Sequence, residues 1–212
     1  RWIEQGNFDL LHIHEPITPS IGMLALQAAR GPLVGTFHAA MDHSMVREAT
    51  APMVSGLIEK LTARIAVSNE AKKTLQHFHG GDAVVIPNGV YTKPFRTAPK
   101  QERFTGSAQA PTIAFLGRID EPRKGLGVLL KAVPQVLARF PQARLWVAGR
   151  GENPQALAHL DATSAAAVTF LGGVSDADKA ALLASATCYV APQTGGESFG
   201  IVLVEAMAAG TA

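Results

Sequence analysis

Short apolar runs alternate with amphipathic stretches along almost the whole chain. The runs at Asp9–His14, Leu33–Phe37, Arg64–Val67, Ala83–Ile86, Thr112–Leu116, Arg144–Ala148, Val168–Leu171 and Thr187–Val190 predict strands. The segments near Ser20–Ala29, Pro52–Ala63, Asn69–Phe78, Leu126–Arg139, Asp176–Ser185 and Ile201–Ala209 predict helices. Such alternation implies an α/β fold with parallel sheets covered by helices, because a parallel crossover usually needs a helix. Several of the strands are apolar on both faces, as strands inside such a sheet are.

The pattern breaks from Lys93-Pro94-Phe95-Arg96 through Gln109, a stretch rich in proline, charge and small polar residues with no apolar period. It reads as an interdomain linker over 94–110, separating an α/β piece at 1–93 from another at 111–212. Each piece carries about four strands, fewer than a doubly wound domain usually has. Arg1-Trp2-Ile3-Glu4-Gln5-Gly6 resembles the last turn of a helix, and Ala206–Ala212 stops where another strand is expected. The expectation is an internal piece of a longer two-domain protein, with both domains incomplete.

Composition narrows the function classes. With 47% hydrophobic and 17% charged residues among 212, the chain has material for buried cores and lacks the signature of disorder. A net charge of +2 gives no argument for a nucleic-acid partner. The single cysteine, Cys188, excludes an internal disulfide and suits a reducing compartment. Neither a signal peptide nor an apolar run of transmembrane length stands out.

Two segments carry most of the chemistry. Gly195-Gly196-Glu197-Ser198-Phe199-Gly200 runs directly into the apolar helix Ile201–Ala209, with carboxylates at Glu197 and Glu205. Amides at a helix start suit an anion, glycines let a ligand approach the backbone, and carboxylates accept hydrogen bonds from sugar hydroxyls. This combination fits a sugar joined to phosphate. The second segment, Gly117-Arg118-Ile119-Asp120-Glu121-Pro122-Arg123-Lys124-Gly125, follows strand Thr112–Leu116 and places three cations near a strand's carboxyl end. Ligands of open α/β sheets bind there, and Arg118 and Lys124 suit a diphosphate. The competing reading is a solvated basic loop.

Weaker signals surround these. Val147–Glu152 again ends a strand in glycines. Ser175-Asp176-Ala177-Asp178-Lys179 contains an Asp-x-Asp, which fits a helix cap better than a metal site. Lys179 or Asp176 can face a base or ribose. His12 and His14 share a face of a strand end; a metal there needs a third ligand such as His38 or His43, and such histidines are more often hydrogen-bonded core or cleft residues. His38, just after Thr36-Phe37, points toward the carboxyl edge.

The pairing of the Gly-Arg…Glu-Pro-Arg-Lys-Gly loop with Gly-Glu-Ser-Phe-Gly…Glu resembles the retaining GT-B glycosyltransferases of family four, whose Glu-x7-Glu motif corresponds to Glu197 and Glu205. His12-Ile13-His14-Glu15-Pro16, Met23–Ala29, Ile65-Ala66-Val67-Ser68 and Ile86-Pro87-Asn88-Gly89-Val90 are similar to the actinobacterial members that mannosylate phosphatidyl-myo-inositol. The resemblance implies two Rossmann-like domains, the first on the acceptor side and the second binding the donor. It implies a GDP-mannose donor with no tightly bound cofactor, and a phosphoinositide acceptor at an anionic membrane surface on the cytoplasmic side. Arg118 and Lys124 are then expected on the diphosphate and Glu197 on the mannose hydroxyls. Phe199, Gly200 and Ile201 would offer backbone amides, and Glu205 would hold the ribose. Val174, Asp176 and Lys179 would lie along base and ribose, and His38 would face the reaction centre. The resemblance implies no metal ligand among these residues; dependence on a divalent ion stays open.

The family's glycine-rich loop after its first strand has no counterpart here, nor has most of its membrane-facing helix, so the expectation is that these residues alone do not turn over. Two alternatives stay open: a family-four enzyme with another sugar nucleotide or a soluble acceptor, and a non-catalytic nucleotide-binding fragment.

Overall fold

The computed structural model describes residues 1–41, 45–152 and 157–212. They fall into two units, Arg1–Asn88 with Gly196–Phe199, and Gly89–Gly195 with Gly200–Ala212.

In the first unit α1 (Trp2–Gln5), β1 (Leu11–His14), α2 (Ile21–Ala28), β2 (Leu33–Phe37), α3 (Met45–Ile58), β3 (Ala63–Ala66), α4 (Asn69–His79) and β4 (Val84–Val85) follow in order. The strands form a parallel sheet in the order β1-β2-β3-β4, with His14 opposite Thr36 and Phe37 opposite Ala66. Ile13, Leu26, Leu33, Phe37, Ile58 and Leu75 belong to its core. The Ser20 and Ser68 side chains accept from the amides of Gly22 and Ala71, capping α2 and α4. Expected over Pro52–Ala63, α3 instead spans Met45–Ile58, with Pro52 inside it. Proline suits a helix start but does not require one, and here the helix accepts the loss of one backbone bond. It ends early because Leu61 turns back onto Ile58 and Thr62 joins the Leu33 carbonyl (3.0 and 2.8 Å).

In the second unit come α5 (Lys93–Arg96), β5 (Thr112–Leu116), α6 (Leu126–Arg139), β6 (Arg144–Ala148), α7 (Ala162–Ala166), β7 (Val168–Gly172), α8 (Asp176–Ser185), β8 (Cys188–Tyr189) and α9 (Ile201–Ala209), with single 3-10 turns at Glu102–Phe104 and Pro122–Lys124. Its sheet is also parallel, in the order β7-β6-β5-β8. Strand alternation divides its residues between two cores. Phe115, Leu145 and Val147 join Leu126, Leu129, Leu130 and Val133, the i, i+3, i+4, i+7 face of α6. Ala114, Leu116 and Ala148 join Phe95, Phe104, Leu182, Leu183 and Ala206 on the other side. Each fully buried leucine or phenylalanine contributes about 1.5–3 kcal/mol.

Residues 94–110, expected as a linker, group with this second unit. Phe95 and Phe104 are 7% and 1% exposed and anchor the segment in the α8–α9 core. Two aromatics suffice for that without any apolar period.

Candidate functional site

The chain lays down β5, β6 and β7 in one direction and then crosses back to place β8 on the other flank of β5. The carboxyl end of β5 is therefore the topological switch point, where open parallel sheets leave a crevice. The loop Gly117–Gly125 leaves β5 there, and the segment from Val190 to Gly195 leaves β8. The Thr194 amide donates to the Arg123 carbonyl (3.0 Å). Gly125 has φ +77°, and a Cβ on it would lie 1.8 Å from the Pro192 carbonyl oxygen, so the two backbones meet where only glycine fits. A Cβ on Gly149, after β6, would likewise lie 1.8 Å from the Gly117 oxygen. The cationic loop is thus held against the segment that leads into the glycine-rich turn.

Within this loop Arg118 is a fork on Asp120, its Nε 3.1 Å from Oδ1 and its Nη2 2.7 Å from Oδ2. Arg118 Nε also lies 3.3 Å from Glu121, which pairs with Arg123 at 2.7 Å. The bidentate bond and charge of Asp120 raise the Arg118 pKa, and the same bond lowers that of Asp120. Lys124 closes the 3-10 turn, its amide donating to Glu121. Glu197 and Phe199 lie in the Gly196–Phe199 stretch that groups with the first unit, where Phe199 packs on the core. Gly200, with φ +78°, is the N-cap of α9 and receives the amides of Leu203 and Val204 (2.9 and 3.3 Å). The amides of Ile201 and Val202 are first-turn donors that the helix cannot satisfy itself.

Asp176, Lys179, Ile201 and Glu205 come together on one cavity of about 360 Å³, completed by Gly89, Val90, Tyr91, Pro94 and Phe95. Lys179 Nζ donates to Glu205 Oε1 at 2.8 Å and lies 5.3 Å from the centroid of Phe95. Glu205 is only 7% exposed, and its Oε2 is buried with no hydrogen-bond partner among the described residues. An orphaned carboxylate oxygen carries a desolvation penalty, and a ligand hydroxyl would relieve it. Asp176 is fully exposed, so its 3.4 Å approach to Lys179 adds little. Val174 packs beside the α8–α9 core.

In the first unit His38 follows β2. Its Nε2 lies 2.8 Å from His14 Nδ1, and the rings stack with centroids 5.1 Å apart. His14 stacks in turn on His12 (4.7 Å), whose Nε2 meets Thr36 Oγ1 at 2.7 Å. Burial, and then the neighbouring histidines, lower the His38 pKa against the opposing pull of Glu15; burial and His14 lower that of His12. Among the described residues no group of three or more His, Cys, Asp or Glu is placed to hold a metal ion. His43, the other third ligand considered, lies outside the described residues.

Two family patterns match this chain, "Glycosyltransferase Family 4" over residues 1–93 and "Glycosyl transferases group 1" over residues 110–212. The chain belongs to the family-4 glycosyltransferases. Over all 212 residues it is 49% identical to the phosphatidyl-myo-inositol mannosyltransferase of Mycolicibacterium smegmatis, covering 54% of that protein. It is 31% identical to the D-inositol 3-phosphate glycosyltransferase of Mycobacterium ulcerans, with 98% of the chain and 48% of that protein covered. The chain thus spans about half the length of the relatives it matches. Sucrose-phosphate synthase from Thermosynechococcus elongatus shares the fold, with TM-score 0.77 at 21% identity over 99% of this chain and 56% of the other. The architecture is that of GT-B glycosyltransferases, with two Rossmann-like parallel-sheet units.

In this family-4 chain several contributors escape sequence reasoning. Tyr91 and Phe95 line the cavity, yet they sit at the edge of, or inside, a stretch without periodicity. Asp120 and Glu121, which pair with Arg118, stand within three residues of it, yet the loop reads in sequence only as a cluster of cations. Glu15 and Thr36 hold His38 and His12 through contacts distant in sequence, and only the β1–β2 register brings them together. No described helix is long and apolar enough to cross a membrane.

Proposed function

We propose that this chain is the central part of a retaining glycosyltransferase that moves mannose from GDP-mannose to the inositol of phosphatidyl-myo-inositol, working as a peripheral enzyme at the cytoplasmic face of the plasma membrane. Residues 1–93 serve the acceptor side and residues 111–212 bind the donor. Breaking the anomeric bond builds negative charge on the leaving diphosphate and positive charge on the sugar carbon. Arg118, Lys124 and the first amides of α9 stabilise the former, which raises rate because the charge is largest in the transition state. Glu197 holds the mannose hydroxyls, Glu205 the ribose hydroxyls through its unpartnered oxygen, and Val174, Asp176 and Lys179 flank base and ribose. His38 faces the reacting centre near the acceptor. Retention proceeds by front-face attack, with the diphosphate helping to deprotonate the acceptor.

The observation that carries this reading is the junction of Thr194 with Arg123 and of Gly125 with Pro192, which sets the cationic loop beside the start of the acidic glycine turn. The name of the 49%-identical relative supports the choice of sugar and acceptor. The test is transfer by the full-length protein with several sugar nucleotides, with and without phosphatidylinositol. Mannosylated lipid formed from GDP-mannose alone is the expected product. A second reading, a water-soluble inositol phosphate as acceptor, is favoured by the relative at 31% identity; glycosylation of D-inositol 3-phosphate in preference to the lipid would select it.

A further inference from the structure

At the carboxyl edge of the first sheet the β1–β2 ladder ends in an unusual way. The Glu15 amide still bonds the Thr36 carbonyl (2.8 Å), extending the ladder by one residue. Glu15 itself has φ +49°, a left-handed conformation rare outside glycine, so the chain turns sharply into the buried Pro16. The turn swings the Glu15 side chain over β2, where Oε1 accepts the amides of both His38 and Ala39, the latter at 2.7 Å. Oε2 receives the Thr18 hydroxyl at 3.2 Å. A side-chain carboxylate thus replaces the ladder partner that His38 would lose as the strands part.

We propose that Glu15 is the positioning residue of His38, a backbone clamp that holds the imidazole in the His12–His14–His38 stack. The contact between His14 Nδ1 and His38 Nε2 needs one donor and one acceptor when both rings are neutral, so the stack couples their tautomers. With Nε2 engaged by His14, the nitrogen that His38 can turn to a reacting group is Nδ1. The clamp is a hydrogen-bond acceptor, and its task does not require a charge, because one carbonyl-type oxygen can accept two amides. Backbone strain of about 1–3 kcal/mol at a non-glycine left-handed residue persists where the surroundings over-determine it. Here the two amides, the Thr18 hydroxyl and the Thr36 carbonyl supply that determination.

The inference rests on the reading that His38 faces the reacting centre, and the two can be tested apart. Glu15→Gly keeps a residue at ease with φ +49° and removes the clamp, whereas Glu15→Gln keeps the accepting oxygen. In the full-length protein with labelled histidines, ring-nitrogen NMR of His38, assigned through His38→Gln, reads the tautomer directly. The expected result is a changed tautomer population in Glu15→Gly and a native-like one in Glu15→Gln. In parallel, kcat for mannosyl transfer should fall roughly 10- to 100-fold in Glu15→Gly, the range typical of a misplaced group, with donor KM within about twofold and Glu15→Gln restoring the rate. Unchanged His38 ring signals in Glu15→Gly, or a Gln variant as perturbed as the Gly variant, would overturn the clamp. A fully active His38→Ala alongside perturbed ring signals in Glu15→Gly would instead leave the clamp standing and remove His38 from the reaction.

Discussion

Glu205 gives one oxygen to Lys179 at 2.8 Å and keeps the other buried with no partner among the described residues, on the wall of a cavity that the base of α9 shares with α8 and Phe95. This arrangement is electrostatically unfinished. The ammonium and the carboxylate stabilise one another in a half-buried place, while the second oxygen has no donor among the described residues.

Removing one member of such a pair costs more than removing both. Lys179 is 23% exposed, which softens the effect by solvent screening. Lys179→Met should destabilise the protein by about 1–3 kcal/mol, and Lys179→Met with Glu205→Leu by less than the single substitution. Urea denaturation of the three proteins measures this. A double variant weaker than Lys179→Met would show that the pair does not act as a unit.

The donor loop should matter for rate rather than for folding. Lys124→Ala and Glu197→Ala should each lower kcat for transfer by about 2–4 kcal/mol of transition-state stabilisation, with melting temperatures close to wild type. Initial rates in the full-length protein test this, and wild-type-like rates in both variants would remove the donor assignment.

Glycine substitutions separate close packing from helix propensity. Gly125→Ala puts a methyl into the Pro192 carbonyl at a left-handed residue, so it should destabilise the second unit and displace the cationic loop. Two residues on, Gly127 lies in α6 with nothing among the described residues within 4 Å of its would-be Cβ, and Gly127→Ala should stabilise by about 0.5–1 kcal/mol. Opposite signs of the change in unfolding midpoint are the expected outcome.

Stability should also depend on pH through the histidine stack. His12 and His38 have native pKa values below the usual 6.5, so the unfolded chain binds more protons than the native one once pH falls below that value. Stability therefore rises with pH through this window: their contribution is whole above about 6.5 and is lost as pH falls through the lowered native values. Urea midpoints between pH 5 and 7.5 should show the slope, and His38→Gln should flatten it.

Much of the second unit was legible because its helices carry strong signals at both ends. The predicted bounds of α6, α8 and α9 match the observed ones, since Gly125 and Gly200 open two of them and the Ser175 side chain caps the third. Prediction failed at α3, where Pro52 imitates a helix start, and at Phe95 and Phe104, where isolated aromatics in a charged, proline-containing stretch have no period to reveal their burial. The five-residue α7 rests on the Asp161 side chain accepting the Ser164 amide at 2.9 Å, a local cap too short to produce an amphipathic pattern. For the site, the residue types at Arg118, Lys124, Lys179 and Glu205 pointed to phosphate and hydroxyl chemistry. The Lys179–Glu205 pair and the Glu15 clamp on His38 were not legible, because each joins residues more than 20 positions apart.

The most direct measurement is a crystal structure of the full-length protein with GDP-mannose bound. The diphosphate is expected on Lys124 and Arg118, the Arg118 fork having released part of Asp120, with a ribose hydroxyl on Glu205 Oε2 and the mannose on Glu197. A nucleotide bound away from the carboxyl end of β5, with Glu205 Oε2 still unpartnered, would contradict it.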